Sequence, residues 1–327
     1  MPFPTRRRKA SLERIVKYLL RRLAYLVAIL LAVTFTVAAL LELLPGDAAV
    51  AIAGENATPE QIQIVRERLN LDRPLVSRYV DWLSHAARGD LGQSLRNDEK
   101  VTHELRLKLP ITLEVVILAQ LAALLFAFLT ACFISVKRSP IADGAATVGS
   151  FAFISLPQFV LGVLLIYFFA VKLEWLPVSG FSPIKDGLWN NLQSVALPVF
   201  TVAADPAAIY QRLLRHDIGK TLQEDYITMA HAKGLSPTRV LLRHTIRPSL
   251  FSTTTLAGII TARMLGGSVI VESLFGLPGL GRLLVEAINA RDYVVVQGVV
   301  ALVAAGYVVI NAAVDILYGF LDPRVRV

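Results

Sequence analysis

"AHAKGLSPTRVLLRHTIRPSL", Ala230 to Leu250, is a compact polar knob set between two long apolar runs. A helix over Leu222 to Ala232 is expected to end at Gly234, and Ser236-Pro237 supplies an N-cap and a first-turn proline for a second helix. On that second helix Arg239, Arg243 and Arg247 recur every four residues and make one basic stripe. Val240, Leu242 and Ile246 offer apolar contacts elsewhere on it, and the small residues Ala230, Ala232 and Gly234 let a partner's backbone come close. Two uses fit these residues. The corner is shaped to enter a groove on another protein, or it is an interfacial helix whose arginines meet lipid phosphate.

The flanking runs define the class. The chain has 327 residues, 55% hydrophobic and 18% charged, too apolar for a soluble globule. Its apolar residues fall in blocks of about 20, the length that crosses a bilayer as a helix. Six such blocks are read: Leu23 to Leu44, Ile111 to Val136, Ala145 to Val171, Val195 to Leu214, Leu250 to Val271 and Val294 to Tyr318. The fourth is the weakest, because Asp205, Pro206 and Gln211 interrupt it. None alternates with period two, so helices are favoured over barrel strands. The expected fold is an all-α integral membrane protein: residues 23–318 form six transmembrane helices, with a small helical segment at 46–110 and a connection at 215–249. The first block is too long for a signal peptide and ends at a turn, Pro45-Gly46-Asp47, so it reads as a retained anchor.

A net charge of +8 suggests nucleic acid until its placement is considered. Residues 1–22 carry Arg6, Arg7, Arg8, Lys9, Arg14, Lys17, Arg21 and Arg22 against the single acid Glu13. Lys137 and Arg138 follow the second block, and Arg212, Arg215, Lys220, Lys233, Arg239, Arg243 and Arg247 follow or surround the end of the fourth. All of these fall on one side if six blocks span. The positive-inside rule then places both termini, the tail 319–327 and the knob in the cytoplasm. Membrane insertion and lipid contact account for the charge, and no nucleic-acid partner is expected.

Within 46–110, Thr58-Pro59-Glu60-Gln61 forms a capping box with proline at the first helical position, predicting a helix to about Asn70. Pro74 opens another, with Val76, Tyr79, Val80 and Leu83 on one face and Gly89 at its end. Catalytic motifs do not emerge. "GLPGLGRL", Gly276 to Leu283, has the frame of a phosphate loop, but Arg282 and Leu283 stand where lysine and a magnesium-binding hydroxyl are required. His85, His103, His216, His231 and His244 lack ligand spacing, and Cys132 is the one cysteine. No metal site and no enzyme are expected.

The knob resembles the cytoplasmic coupling loop of ABC-transporter permeases, whose pattern is Glu-Ala-Ala, three residues, then Gly. Thr228, Met229, Ala230 and Gly234 stand at those positions, so Ala230 and Gly234 match while Thr228 and Met229 depart, and the tail proline is Pro248. "LLPGDAAVAIAGENATPEQ", "RGDLGQSL", "ESLFGLPGLGRLLVEAINARDYVVVQG" and "NAAVDILYGFLDPRVRV" are similar to the dipeptide/oligopeptide/nickel branch, B-type subunit. The resemblance implies an importer subunit for peptides, nickel chelates or glutathione. A homologous second permease, two ABC ATPase subunits or domains and an extracytoplasmic substrate-binding protein would complete it. Ala230, His231, Ala232, Lys233, Gly234, Leu235, Ser236 and Arg239 would dock on an ATPase. ATP and magnesium would sit on those ATPases, and this chain would hold no cofactor.

Arg263 is the sharpest local anomaly. It lies roughly 20 Å into the fifth block at about 1.5 Å per residue, where a charge costs at least about 2.5 kcal/mol unless it meets water or an acid. Asp205 in block four lies within about one helical turn of that depth. The pair is either a static strut between helices or part of the translocation path, with Arg263 restrained by Asp205 in one state and free to meet a peptide carboxylate in another. An ion-coupled secondary transporter, using Asp205 and Asp315, is the rival reading.

Overall fold

A computed structural model describes residues 5–43, 48–54, 57–68, 71–137 and 140–321. The turn expected at Pro45-Gly46-Asp47, Arg138 and the end of the tail lie outside these residues. In chain order the helices are α1 (Thr5–Glu42), α2 (Ala48–Ala53), α3 (Pro59–Arg68), α4 (Leu75–Ala86), α5 (Val101–Lys137), α6 (Pro140–Ser155), α7 (Gln158–Leu165), α8 (Leu188–Thr221), α9 (Asp225–Ala232), α10 (Pro237–Val240), α11 (Ile246–Leu274), α12 (Leu280–Asn289) and α13 (Tyr293–Leu321). Short π-helical stretches, Ile166–Lys172 and Leu241–Thr245, continue α7 and join α10 to α11.

Four of these stretches are long and apolar enough to cross a membrane: Val101–Val136, Leu188–Thr221, Pro237–Leu274 and Tyr293–Val314. Asp143–Ser155 and Gln158–Lys172 make a fifth if taken as one span, but they meet at 105°. The third block was expected to be a single helix. Pro157 breaks it, since proline supplies no backbone N–H and pushes the residue before it out of helical conformation. The first block appears as the shorter apolar stretch Ala24–Leu40 within α1. By length and composition, the described residues thus form an all-helical membrane protein with four spans, or five if the bent pair is one.

The chain forms two compact units: Met1–His103 with Ala287–Val308, and Glu104–Glu286 with Val309–Val327. In the first, the capping box at α3 is made as expected: Thr58 N–H donates to Gln61 Oε1 at 2.9 Å, and Gln61 N–H to Thr58 Oγ1 at 3.3 Å. Helix α4 packs on α1 through Tyr79, whose hydroxyl lies 3.0 Å from the Leu31 carbonyl oxygen and 2.8 Å from Thr34 Oγ1. The Phe35 ring meets Tyr79 edge-on at 5.2 Å, and Arg78 pairs with Glu42 at 2.8 Å. Of the apolar residues read on one face of this helix, Tyr79 is buried while Val76 and Val80 are exposed. Spacing alone allowed either flank of Tyr79, and the hydroxyl's need for a partner chose the one toward Thr34. Elsewhere in this unit the "RGDLGQSL" loop is held by the buried Asp292, whose Oδ2 accepts from Ser94 Oγ at 2.5 Å and Leu95 N–H at 3.1 Å, while Oδ1 accepts from Val295 N–H in the first turn of α13.

In the second unit α8 is the centre. Although it was the weakest span in the sequence, it is the most buried, and its pairing with α11 is the most extensive between helices. Helix α5 shows why large and small residues separate. Ala119, Ala123, Ala127 and Ala131 recur every four residues and are buried, whereas Ile117, Leu121, Leu125, Leu129 and Phe133 recur on another face and are exposed. Small side chains let helices approach each other, and large apolar ones suit lipid.

The end of α11 is clasped to the start of α12. Glu272, fully buried, accepts from Gly281 N–H at 2.7 Å through Oε2, and Thr112 Oγ1 accepts from Leu280 N–H at 2.9 Å. A carboxylate and a hydroxyl thereby satisfy N–H groups that the helix leaves orphaned at its first turn. Gly281 is required by the close approach, since a Cβ there would lie 2.3 Å from Val269 Cα. Gly281→Ala is therefore expected to lower the thermal midpoint of the purified protein by several degrees, reflecting about 1–3 kcal/mol of overpacking. Gly144→Ala, with open space at the added methyl, is expected to leave the midpoint unchanged or raise it. Equal midpoints for the two variants would contradict the clasp.

Candidate functional site

The polar knob folds around its own small core. Ile227, Ala230 and Val240 are buried together, with Leu222 and Leu235 packed against them. Helix α9 starts at Asp225, three residues later than the sequence suggested, because Leu222 to Glu224 form turns before it. It ends in a Schellman arrangement, with Leu235 N–H donating to the Ala230 carbonyl at 3.3 Å and Gly234 N–H to that of His231 at 2.9 Å. Gly234 adopts φ +78°, a left-handed conformation that glycine tolerates and other residues resist. Ser236 precedes Pro237 as expected but makes no side-chain cap bond.

Ala230 was expected at the docking surface; it faces the knob's interior instead. Its methyl fills the space between Ile227 and Val240, so its small size serves the fold of the knob. His231, Ala232, Lys233, Gly234, Ser236 and Arg239 are exposed, Leu235 is half-buried, and Arg243 and Arg247 continue the exposed basic stripe. Three apolar side chains share this exposure: Tyr226, Met229 and Leu242. Leu242, read as one of the apolar contacts of the second helix, is exposed, and Leu241 beside it is buried. The π-helical stretch moves the register by one residue, and no residue-by-residue propensity signals such a bulge.

The knob stands on a stiff base. Arg215 on α8 binds Asp143 Oδ1 at 2.7 Å, the Asp143 carbonyl at 3.1 Å and Thr147 Oγ1 at 3.1 Å, all on α6. Arg212 lies 4.4 Å from the centre of the Phe151 ring. Below it Leu214, Ile218, Leu241 and Ile246 are buried around Ala131. From Pro237 the chain then runs through the π-helical stretch to Leu274 as one span, so the knob and the middle of the membrane share one helical rod.

Halfway along the two central helices lies the ion pair anticipated from depth. Arg263 Nη2 donates to Asp205 Oδ2 at 2.7 Å. The Arg263 side chain is 60% exposed and that of Asp205 24%. A guanidinium cannot deprotonate to escape, and its charge is costly against hydrocarbon. Glu272 and Asp292 went unread in the sequence. Each is an acid just before a turn and a helix start, and that pattern was the available signal.

Comparison with known proteins follows the same lines. Residues 123–327 match the family described as binding-protein-dependent transport system inner membrane component, and residues 15–116 match its N-terminal membrane component. A probable peptide ABC transporter permease protein of Sinorhizobium fredii is 36% identical over 309 residues, covering 94% of this chain and 99% of that protein. The di/tripeptide transport system permease protein of Pseudomonas aeruginosa is 35% identical over 332 residues, covering 95% and 99%. A glutathione transport system permease protein of Escherichia coli is 36% identical over 311 residues, covering 95% and 99%. With helices of membrane-crossing length and matches along nearly its whole extent, the chain belongs to the family of binding-protein-dependent transport system inner membrane components and is a transport subunit, not an enzyme.

Proposed function

We propose that this chain is one of two permease subunits of an ABC importer that carries peptides across a bacterial-type plasma membrane. The observation that carries this reading is the full-length likeness to permeases named for peptide transport. Six spans would put both termini and the 215–249 connection in the cytoplasm, and residues 46–110 outside, facing an extracytoplasmic substrate-binding protein. Two ATPase subunits or domains would bind ATP and magnesium. Glutathione, the cargo named for one relative, is the second reading, and it is itself a short peptide.

In this account the exposed rim of the knob, His231 to Ser236 with Arg239, docks on an ATPase. Tyr226 and Met229 on its surface support a protein partner over a lipid one, since apolar side chains beside cations suit a protein groove. Arg263 and Asp205 line the translocation path, where their exposure is met by water. Closure of the ATPases displaces the knob, and the rod from Pro237 to Leu274 carries that displacement to Arg263.

Four outcomes are expected. In the assembled importer, Ala232→Trp lowers uptake at least about tenfold, the effect of losing ~1.4 kcal/mol of docking free energy, while the subunit stays in the membrane. Normal uptake would count against docking there. Ala230→Trp acts differently: it disrupts the knob's core and is read as loss of thermal stability. For topology, a Glu60→Cys variant carrying Cys132→Ser reacts with an impermeant thiol reagent added outside intact cells; labelling only after lysis inverts the orientation. ATP depletion stops uptake, whereas uptake that survives it and collapses with the proton gradient identifies a secondary transporter.

A further inference from the structure

The Arg263–Asp205 pair is under-used. Among the described residues, the 2.7 Å bond from Nη2 to Oδ2 is the one hydrogen bond either side chain makes. A guanidinium has five N–H donors and a carboxylate two acceptor oxygens, so most donors of Arg263 and the Oδ1 of Asp205 are unspent. An ion pair that serves only as a strut in a low-dielectric setting needs its remaining donors and acceptors satisfied. Here the Arg263 side chain is 60% exposed and that of Asp205 24%, about halfway along their helices.

The exposed surface around Arg263 has a definite form. Ser252, Ile259, Arg263, Gly266, Ile270 and Ser273 are exposed at spacings of three, four and seven along α11, and so share one face. At Gly266, one turn beyond Arg263, a Cβ would meet nothing within 4 Å. The neighbouring Gly267, also exposed, would meet only Gln158 Oε1 at 3.8 Å. A ligand held by Arg263 therefore finds open space and bare backbone beside it.

We propose that this pair is a terminus-reading exchange site for short peptides, at which the ligand's α-carboxylate takes Arg263 and its α-ammonium takes Asp205. The inference rests on the peptide reading above and adds a selectivity step located in the permease. Charge balance carries it. The resting pair is neutral overall and so is a peptide zwitterion, so its entry replaces one ion pair by two and leaves no charge unpaired at mid-membrane depth. A peptide blocked at one end has no such exchange. An N-acetylated peptide strands Asp205, and a C-amidated one strands Arg263, each at a depth where an unpaired charge is costly. The planar fork of arginine suits a carboxylate in two-point contact. Each further residue lengthens an extended chain by roughly 3.5 Å, so the two side chains, which touch at rest, hold both ends of short peptides only.

The test uses the complete importer in proteoliposomes, with its binding protein. Uptake is measured for one dipeptide in three forms: free, N-acetylated and C-amidated. The wild type is compared with Asp205→Asn and Arg263→Gln. Preferences of the binding protein are common to all three importers and cancel when variant ratios are divided by wild-type ratios. Asp205→Asn is expected to lower the preference for the free over the N-acetylated form about tenfold, the scale of one lost charge-assisted contact, with its preference over the amide kept. Arg263→Gln is expected to do the converse. Equal loss of uptake for all three forms in both variants would overturn the proposal and mark the pair as a strut. If Arg263→Gln does not assemble, Asp205→Asn decides alone, because an unchanged ratio of free to acetylated uptake overturns it. Absence of uptake of any form by the wild-type importer overturns the peptide reading itself, and this inference with it.

Discussion

A guanidinium cannot shed its charge, and halfway along a membrane span it has water only if the protein provides it. That constraint governs α8 and α11, the most extensively packed helices of their unit. Arg263 and Asp205 join them at mid-depth, and the same two helices lead directly into the polar knob. Helices α6 and α7 pack on α8, with Arg215 and Arg212 fastening its knob-side end to α6. A displacement of the knob therefore has a stiff route to the ion pair, with the π-helical turn at Leu241–Thr245 as the irregular link between them. Such irregular turns are common where helices serve function.

The motifs that carry the family resemblance have a physical explanation in this fold. "RGDLGQSL" and "ARDYV" meet at Asp292, and "VESLFGLPGLGRL" closes on Glu272. Each uses a buried carboxylate to bind backbone N–H groups at a loop or a helix start, where a neutral side chain would accept less strongly. The glycines of the second motif are spaced to let the helix start approach the carboxylate and Val269. A stretch that looks like a phosphate loop by its glycines thus already has N–H groups filled by an internal carboxyl group.

Much of this was legible in the sequence because it follows from short-range rules. The capping box at Thr58, the break at Gly234 and the pairing of Arg263 with Asp205 needed only hydrogen-bond chemistry and the rise of a helix. What escaped depended on partners distant in sequence. Ala230 turned inward because Val240, beyond the glycine break, had to be covered. The face of α4 was set by Thr34 on α1. The 105° break at Pro157 had a local cause, but an apolar run does not record whether a proline kinks a span or divides it. Interrupted by Asp205, Pro206 and Gln211, α8 looked weak as a span, yet it is the most buried of the spans.

Water at the exposed face of α11 is the claim on which the transport account turns, and it can be measured directly. Ile259 lies one turn before Arg263 on that face, and Cys132 is the only cysteine to remove. In a Cys132→Ser background, Ile259→Cys within the assembled importer is exposed to a charged, membrane-impermeant thiol reagent during ATP turnover. The account predicts reaction with that reagent and slower reaction when peptide and binding protein are supplied. A cysteine that reacts only with lipid-soluble reagents, at a rate that peptide does not change, would show this face turned to hydrocarbon or sealed against a partner and would contradict the account.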